Sequence, residues 1–361
     1  MHLGISTLLK FYGEHRTDES LILGTVIATE GSTYRKPGAM MLIAADGSHR
    51  GLISGGCLES DLAQHAKKVF EDGETRKVTY DLSADADLIW GLGIGCDGVI
   101  QLMLQRLERD QGFGFLSTLE NAWKARRDGV LGIAVESDDK DHPVGSFAFD
   151  CGDKFSAGDT TLIDGIHLPS EIHDMSRRFW RESIATAHGK VDMLLVPVIP
   201  PPALLVCGAG IDAVPVTRLA IEMGWDCTVV DHRSGFANAE SFPAACQVRL
   251  LQPDELASNI DLQHIDAVIM MSHNLGHDRV YLEQVVAAQV LYIGLLGPRA
   301  RRDRLLDEIG ATNGEAGIHV HGPAGLDIGA EMPESIALSI IAEIHACLNR
   351  RHGSELTPIG T

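Results

Sequence analysis

The sequence is short of positive charge, of unbroken apolar runs and of a cysteine framework, and each shortage removes a class of function. Its 361 residues carry 30 Lys and Arg against 50 Asp and Glu, a formal net charge of −20. A surface of that sign repels phosphate backbones and anionic lipid, which argues against nucleic acid or a membrane surface as main partner. A phosphate-bearing ligand must then be held by local positive features such as helix N-termini or single arginines. The most apolar stretch, residues 193–206, is interrupted by Pro197, Pro200, Pro201 and Pro202, and is too short and too broken for a membrane span. Residues 1–6 contain no basic segment leading into an apolar one, so no secretory signal is expected. Seven cysteines, an odd number and widely scattered, fit free thiols in a reducing cytoplasm better than a disulfide set. Repeats and low-complexity runs are missing too.

What remains is an ordinary globular composition, 45% hydrophobic and 22% charged, with an excess of glycine at 38 residues. The length suits two domains with a core each. One stretch organises the first: Gly51-Leu-Ile-Ser-Gly-Gly-Cys-Leu-Glu59 places a thiol after two glycines and at the start of a helix over residues 59–72. Leu62, Ala66, Val69 and Phe70 give that helix its apolar face. A helix start carries unpaired N–H groups and the positive end of the dipole, so Cys57 is expected to have a lowered pKa there. Taken alone, the stretch also reads as a tight turn with Cys57 as a core filler. A second glycine-rich loop, Gly91-Leu-Gly-Ile-Gly-Cys-Asp-Gly98, carries Cys96 in the same setting. If both loops open on one end of a sheet, the two sulfurs are expected within roughly 10 Å, close enough to share a soft ligand. Glu59 reads as a first-turn helix residue, where acids are favoured.

Along the chain, a helix is expected over residues 1–20 and a strand over 21–30. Tyr34-Arg-Lys-Pro-Gly38 follows as a turn with two cations, then a hairpin through Asp46-Gly47 and a strand over 77–82. Further strands are expected at 99–105, 132–136, 145–150 and 192–196. Helices are expected at 113–128 and near 169–186, with a solvated loop at 137–142. The proline cluster at 197–202 reads as a stiff linker. Beyond it the pattern changes to strand, Gly208-Ala-Gly-Ile-Asp-Ala213, apolar helix, strand, and the acid Asp231, 21 positions after Gly210. That is the spacing of a dinucleotide-binding βαβ unit. Gly208 and Gly210 shape the turn, the helix start at Ala213 faces a pyrophosphate, and Asp231 reaches a ribose hydroxyl. Arg233 leaves room for a 2′-phosphate. More α/β units follow, and the loop 272–278 lies where such sheets bind ligands. Its His273 and His277 are expected to hydrogen-bond rather than bind metal, and no metal site is expected. Cys207 and Cys227, inside β-runs, are expected to be inert.

Taken together these segments resemble the XdhC/CoxI family, accessory proteins of molybdenum hydroxylases such as xanthine dehydrogenase. The resemblance rests on Gly31-Ser-Thr, Pro37-Gly-Ala-Met-Met-Leu42, Ser54-Gly-Gly-Cys-Leu-Glu59 and Gly95-Cys-Asp-Gly98 in the first part. In the second it rests on Leu205-Val-Cys-Gly-Ala-Gly210, Val230-Asp-His-Arg233, Tyr292-Ile-Gly-Leu-Leu-Gly297 and Gly325-Leu-Asp-Ile-Gly-Ala330. Two departures stand out. Asp97 precedes the last glycine of the second loop, and Ile211 follows Gly210 where the family commonly has histidine.

The resemblance implies an α+β XdhC/CoxI domain over residues 1–199 and a doubly wound Rossmann domain over 200–361. It also implies a cytoplasmic chaperone that binds molybdenum cofactor, helps its sulfuration by a cysteine desulfurase and hands it to an apo-hydroxylase. Cys57 and Cys96 would be the reactive thiols and Gly55, Gly56, Cys57 and Glu59 the cofactor-binding residues. NAD(P) at Gly208, Gly210, Ala213 and Asp231 and a homodimeric assembly complete the expectation. The alternatives from other classes are an NAD(P)-dependent oxidoreductase and a nucleotide-sensing module.

Overall fold

A computed structural model describes residues 2–51, 53, 58–81, 98–152, 155–164, 179–314 and 319–354. The chain divides into two compact units, Met1–Pro200 and Pro201–Thr361.

The first unit is built on two antiparallel five-stranded sheets. In chain order its elements are α1 (His2–Glu14), β1 (Ser20–Gly31), β2 (Met40–Ile43), β3 (His49–Gly51), α2 (Glu59–Asp72), β4 (Arg76–Asp81) and β5 (Gly98–Glu108). Then come α3 (Leu116–Lys124), β6 (Gly129–Ser137), β7 (Phe147–Asp150), β8 (Ser156–Gly158), β9 (Trp180–Ala185) and β10 (Lys190–Val198). The first sheet runs β3-β2-β1-β5-β4 and the second β8-β7-β6-β10-β9. Alternation along β1 decides what each face meets. Leu21 and Leu23 join Met103 from β5, Leu131 and Ile133 from β6, Leu194 and Val196 from β10, and Ile5 and Leu8 from α1 in one core. Ile22 and Val26 point the other way, onto Leu62, Ala66 and Val69 of α2. Those three residues recur at the helical spacing the sequence shows, so α2 is held by burial of one stripe. It ends at Gly73, which takes the left-handed conformation at φ 74°.

One expectation fails in this unit and a second holds only in part. Residues 180–185 form the edge strand β9, paired antiparallel to β10, where a helix was expected; residues 169–178 of that segment lie outside the described residues. Trp180 and Ile184 both pack on the outer core of the second sheet. A spacing of four puts two side chains on one face of either a helix or a strand, so periodicity misleads here. The 137–142 loop is solvated at Asp138, Lys140 and Asp141 as expected, but Asp139 anchors it inward. Asp139, 3% exposed, accepts hydrogen bonds from His142 Nδ1 (2.9 Å) and from the Thr186 hydroxyl. His142 reaches Asp159 through its other nitrogen at 2.8 Å.

The second unit comprises β11 (Ala203–Cys207), α4 (Ala213–Glu222), β12 (Asp226–Asp231), β13 (Gln247–Leu250), β14 (Ala267–Met270), α5 (Leu275–Ala287), β15 (Tyr292–Leu295), α6 (Arg299–Glu308), β16 (Val320–His321) and α7 (Pro333–Leu348). The six strands run parallel in the order β13-β12-β11-β14-β15-β16. Numbered within the unit this is 3-2-1-4-5-6, the doubly wound Rossmann order, with its switch point between β11 and β14. Alternate residues of the central strands feed two cores, one closed by α4 and α7 and the other by α5 and α6. Burial on both faces is why Ala203–Cys207 reads as a continuous apolar run.

Candidate functional site

The residues singled out by the sequence fall in both units. In the first unit, β1, β3 and β4 run in one direction and β2 and β5 in the other. The segment after β3 and the segment between β4 and β5 therefore both start from the end of the sheet where β1 finishes. Gly31 closes β1 opposite Gly98, the last residue of the second glycine-rich loop. A Cβ on Gly98 would lie 2.5 Å from the Glu30 carbonyl oxygen and 2.8 Å from that of Ser32, so glycine there is demanded by chain crossing. Glu59 opens α2, as its sequence position implies. Gly55, Gly56, Cys57 and Cys96 lie outside the described residues.

In the second unit the loops at the carboxyl ends of β11, β12 and β14 converge. Gly208 sits at φ +120°, and a Cβ on it would come within 2.5 Å of the Met271 carbonyl oxygen. The first glycine of the motif is thus fixed by the neighbouring strand whether or not a nucleotide binds. Ala213 begins α4 and is fully buried. Gly210 faces His273, whose Nε2 would lie 3.8 Å from an added Cβ.

Asp231 ends β12 as expected, but its carboxylate is turned inward and is 1% exposed. One oxygen accepts from Ala209 N–H at 2.8 Å and from an Arg233 Nη at 2.7 Å; the other accepts from Arg233 N–H and Nε, both at 2.9 Å. Burial would raise this acid, yet the hydrogen bonds from Arg233 and Ala209 hold it down at about 2. A ribose hydroxyl arriving here would have to displace Arg233. Across the switch point, Asp212 Oδ2 meets His273 Nε2 at 2.9 Å while Asp212 Oδ1 is buried without a hydrogen-bond partner.

The sequence reading missed several members of this mouth. Asp278, 1% exposed, accepts from the Ser272 hydroxyl at 2.5 Å and from Arg301 at 2.6 Å. His277, expected to hydrogen-bond, instead packs edge-on to His232, ring centres 4.3 Å apart, and its Nδ1 is buried without a hydrogen-bond partner. Burial, and then the neighbouring His232, lower the His277 pKa. Asn274 caps α5 by accepting from His277 N–H, a capping residue visible in the sequence.

Farther along the sheet Glu343 accepts from the Tyr292 hydroxyl and from Gly325 N–H and pairs with His321 Nδ1 at 3.2 Å. Burial opposes protonation of His321, but hydrogen bonds with Cys347 and Glu343 raise its pKa to about 9. Cys207 and Cys227 are buried, and their thiols are pushed up, Cys207 by burial and Cys227 first by its contact with Cys246 and then by burial.

A family model described as the XdhC Rossmann domain matches residues 204–344, and one described as the XdhC and CoxI family matches residues 15–81. A probable xanthine dehydrogenase subunit of Bacillus subtilis (strain 168) is 30% identical over 326 residues, covering 90% of this chain and 92% of the relative. A molybdenum cofactor insertion chaperone, PaoD, of Escherichia coli (strain K12) is 24% identical over 357 residues, 98% of this chain and 92% of that protein. A crystal structure described as a xanthine dehydrogenase from Bacillus halodurans superimposes with a TM-score of 0.75 at 30% identity, covering 98% of both chains. No helix among the described residues is long and apolar enough to cross a membrane.

Proposed function

The chain belongs to the XdhC and CoxI family, and on that premise we propose that it is a molybdenum cofactor insertion chaperone for a molybdenum hydroxylase of the xanthine dehydrogenase type. The observation that carries the reading is likeness to a chaperone of that name over 98% of this chain. The topology of the first sheet supports it, because both glycine-flanked cysteine segments start from one sheet end. The cargo is a phosphate-bearing pterin with a dithiolene that holds molybdenum, and thiolates suit a soft metal or its sulfur ligand. In this reading Cys57, with Gly55, Gly56 and Glu59 around it, receives the metal end of the cargo, and Cys96 supports it. A cysteine desulfurase is the second partner, for sulfuration, and the working assembly is a homodimer. Residues 1–199 act as the cargo domain and 200–361 as the Rossmann domain. The protein acts as a maturation chaperone in the cytoplasm rather than as a catalyst.

Expressed in a host that makes the cofactor, the purified chain should release a fluorescent oxidised pterin and activate the apo-hydroxylase. A chain with no pterin and no effect on the client would sink the reading. A second reading concerns NAD(P) at Gly208, Gly210, Ala213 and Asp231, favoured by the strand order of the sheet. It requires Arg233 to leave Asp231, after which the guanidinium is free for a phosphate. Millimolar NAD(P) that leaves the melting temperature unmoved would exclude it.

A further inference from the structure

We infer that Asp212 is a built-in competitor for the pyrophosphate at the glycine turn of the Rossmann unit, and so sets how tightly that turn takes a dinucleotide. This rests on the second reading above and adds to it the side chain that must give way.

In a dinucleotide-binding βαβ unit the second glycine keeps one face bare, so that the pyrophosphate comes against the backbone. Here that face is occupied. A Cβ on Gly210 would lie 2.6 Å from Asp212 Oδ1 and 3.8 Å from His273 Nε2, so a carboxylate and an imidazole already rest on it. Asp212 stands directly before α4, yet its side chain caps none of the helix N–H groups. An aspartate at that position ordinarily accepts from the second or third N–H of the helix. This one folds back over Gly210 instead, and its Oδ2 meets His273 Nε2 at 2.9 Å. Its Oδ1 is buried with no hydrogen-bond partner, the single carboxylate oxygen in that state among the described residues. His273 lies on the loop between β14 and α5 at φ +56°, in the left-handed region. The clamp therefore spans the switch point, the crevice where doubly wound sheets take their ligands.

The charge of this clamp matters as much as its place. The start of α4 is the positive end of a helix dipole, the feature that draws a phosphate in a fold of this kind. Asp212 already sets a negative charge there. A pyrophosphate entering the turn must displace that carboxylate or lie beside a like charge in a partly buried mouth, where repulsion is weakly screened. Displacement is open to it because the hold is light. Asp212 has one side-chain partner, and that partner, His273, is 61% exposed, so the pair adds little stability. On leaving, the buried Oδ1 regains water. Asp231 differs: Arg233 and Ala209 donate four hydrogen bonds to it, so that acid is fixed and Asp212 is the looser of the two.

The test is calorimetric titration of the full chain with NAD and with NADP, beside the melting temperature of each unliganded variant. Asp212→Ala clears the face of Gly210 and removes the charge. It should bind the preferred nucleotide about tenfold or more tighter than the unaltered chain does. Asp212→Asn keeps the shape without the charge and should gain by less. Glu222→Ala removes an exposed carboxylate at the far end of α4 and should bind like the unaltered chain. Unliganded melting temperatures should stay close to that of the unaltered chain, since Asp212 caps no helix N–H. If the unaltered chain binds and Asp212→Ala stays within about twofold of it, the competitor is overturned and the second reading stands. An equal gain in Glu222→Ala overturns it too, as an effect of net charge. Should Asp212→Ala fail to fold, Asp212→Asn decides by the same limit. No binding by the unaltered chain or by either Asp212 variant at millimolar nucleotide overturns both.

Discussion

The ends of the two sheets differ in how their charges are matched. In the Rossmann unit, Asp231 is held by Arg233 and Ala209, Asp278 by Arg301 and Ser272, and Asp212 by His273, so the mouth is braced across its switch point. In the first unit, the turn at the sheet end presents Arg35 and Lys36 with no carboxylate opposite them among the described residues. Opening the Rossmann mouth to an anion at Asp231 breaks an arginine–aspartate pair. We propose on this ground that the N-terminal unit holds the cargo and the Rossmann unit serves as its platform.

The comparison breaks most readily at the platform. Gly208→Val forces a branched side chain into φ +120° and against the Met271 carbonyl. The substitution should cost about 3 kcal/mol or more, since backbone strain and a steric clash add. Calorimetry should show the loss in the transition of the second unit. A loss below about 1 kcal/mol would mean the loop is more pliant than its packing implies.

A smaller effect tests the bracing. Arg233→Met leaves the Asp231 carboxylate buried with Ala209 N–H as its remaining strong partner. Removing one partner of a buried pair costs about 3–5 kcal/mol. Because Arg233 is itself 37% exposed, a loss nearer ~2 kcal/mol is expected. The sign with pH follows from the lowered acid. With the folded pKa near 2 and the unfolded near 3.9, its stabilisation is complete above about pH 4 and is lost as pH falls towards 2. In the variant the folded pKa rises towards or above the unfolded one, so this group's share of the acid decline should shrink or reverse. An unchanged profile would show that Ala209 alone holds the carboxylate.

The sequence made some of this legible. Gly208, Gly210 and Asp231 are recognisable because a buried parallel strand, a tight turn and a helix must follow at fixed spacing. The α2 stripe of Leu62, Ala66 and Val69 is legible by the same periodic logic. β13 and β16 escaped notice because β13 is an exposed edge strand and β16 spans just two residues, so neither makes an apolar run. The inward turn of Asp231 depends on a side chain folding back over two residues. His321 meets Glu343 from 22 positions away, a distance no local pattern encodes. Arg35 and Lys36 are visible as adjacent cations, but only the fold shows what stands opposite them.

The smallest effect separates the units by alkaline titration. His321, raised to about 9 against an unfolded value near 6.5, stabilises fully below about pH 6.5, and that share is lost as pH rises through 9. His142, raised by hydrogen bonds to Asp139 and Asp159, behaves with the same sign in the first unit. His321→Asn should therefore flatten the alkaline decline of the second calorimetric transition, and His142→Asn that of the first. A variant that flattens the wrong transition would contradict the assignment.

The most direct test of the division of labour is pterin content per chain in Cys57→Ala beside Cys227→Ala, both expressed with cofactor synthesis intact. Cys227 is a buried strand residue of the platform, and its replacement should leave pterin loading and client activation near the level of the unaltered chain. Cys57→Ala should fold with an unchanged melting profile and yet lose the pterin and the ability to activate the apo-hydroxylase. A Cys57→Ala chain that still carries pterin and still activates its client would contradict the account.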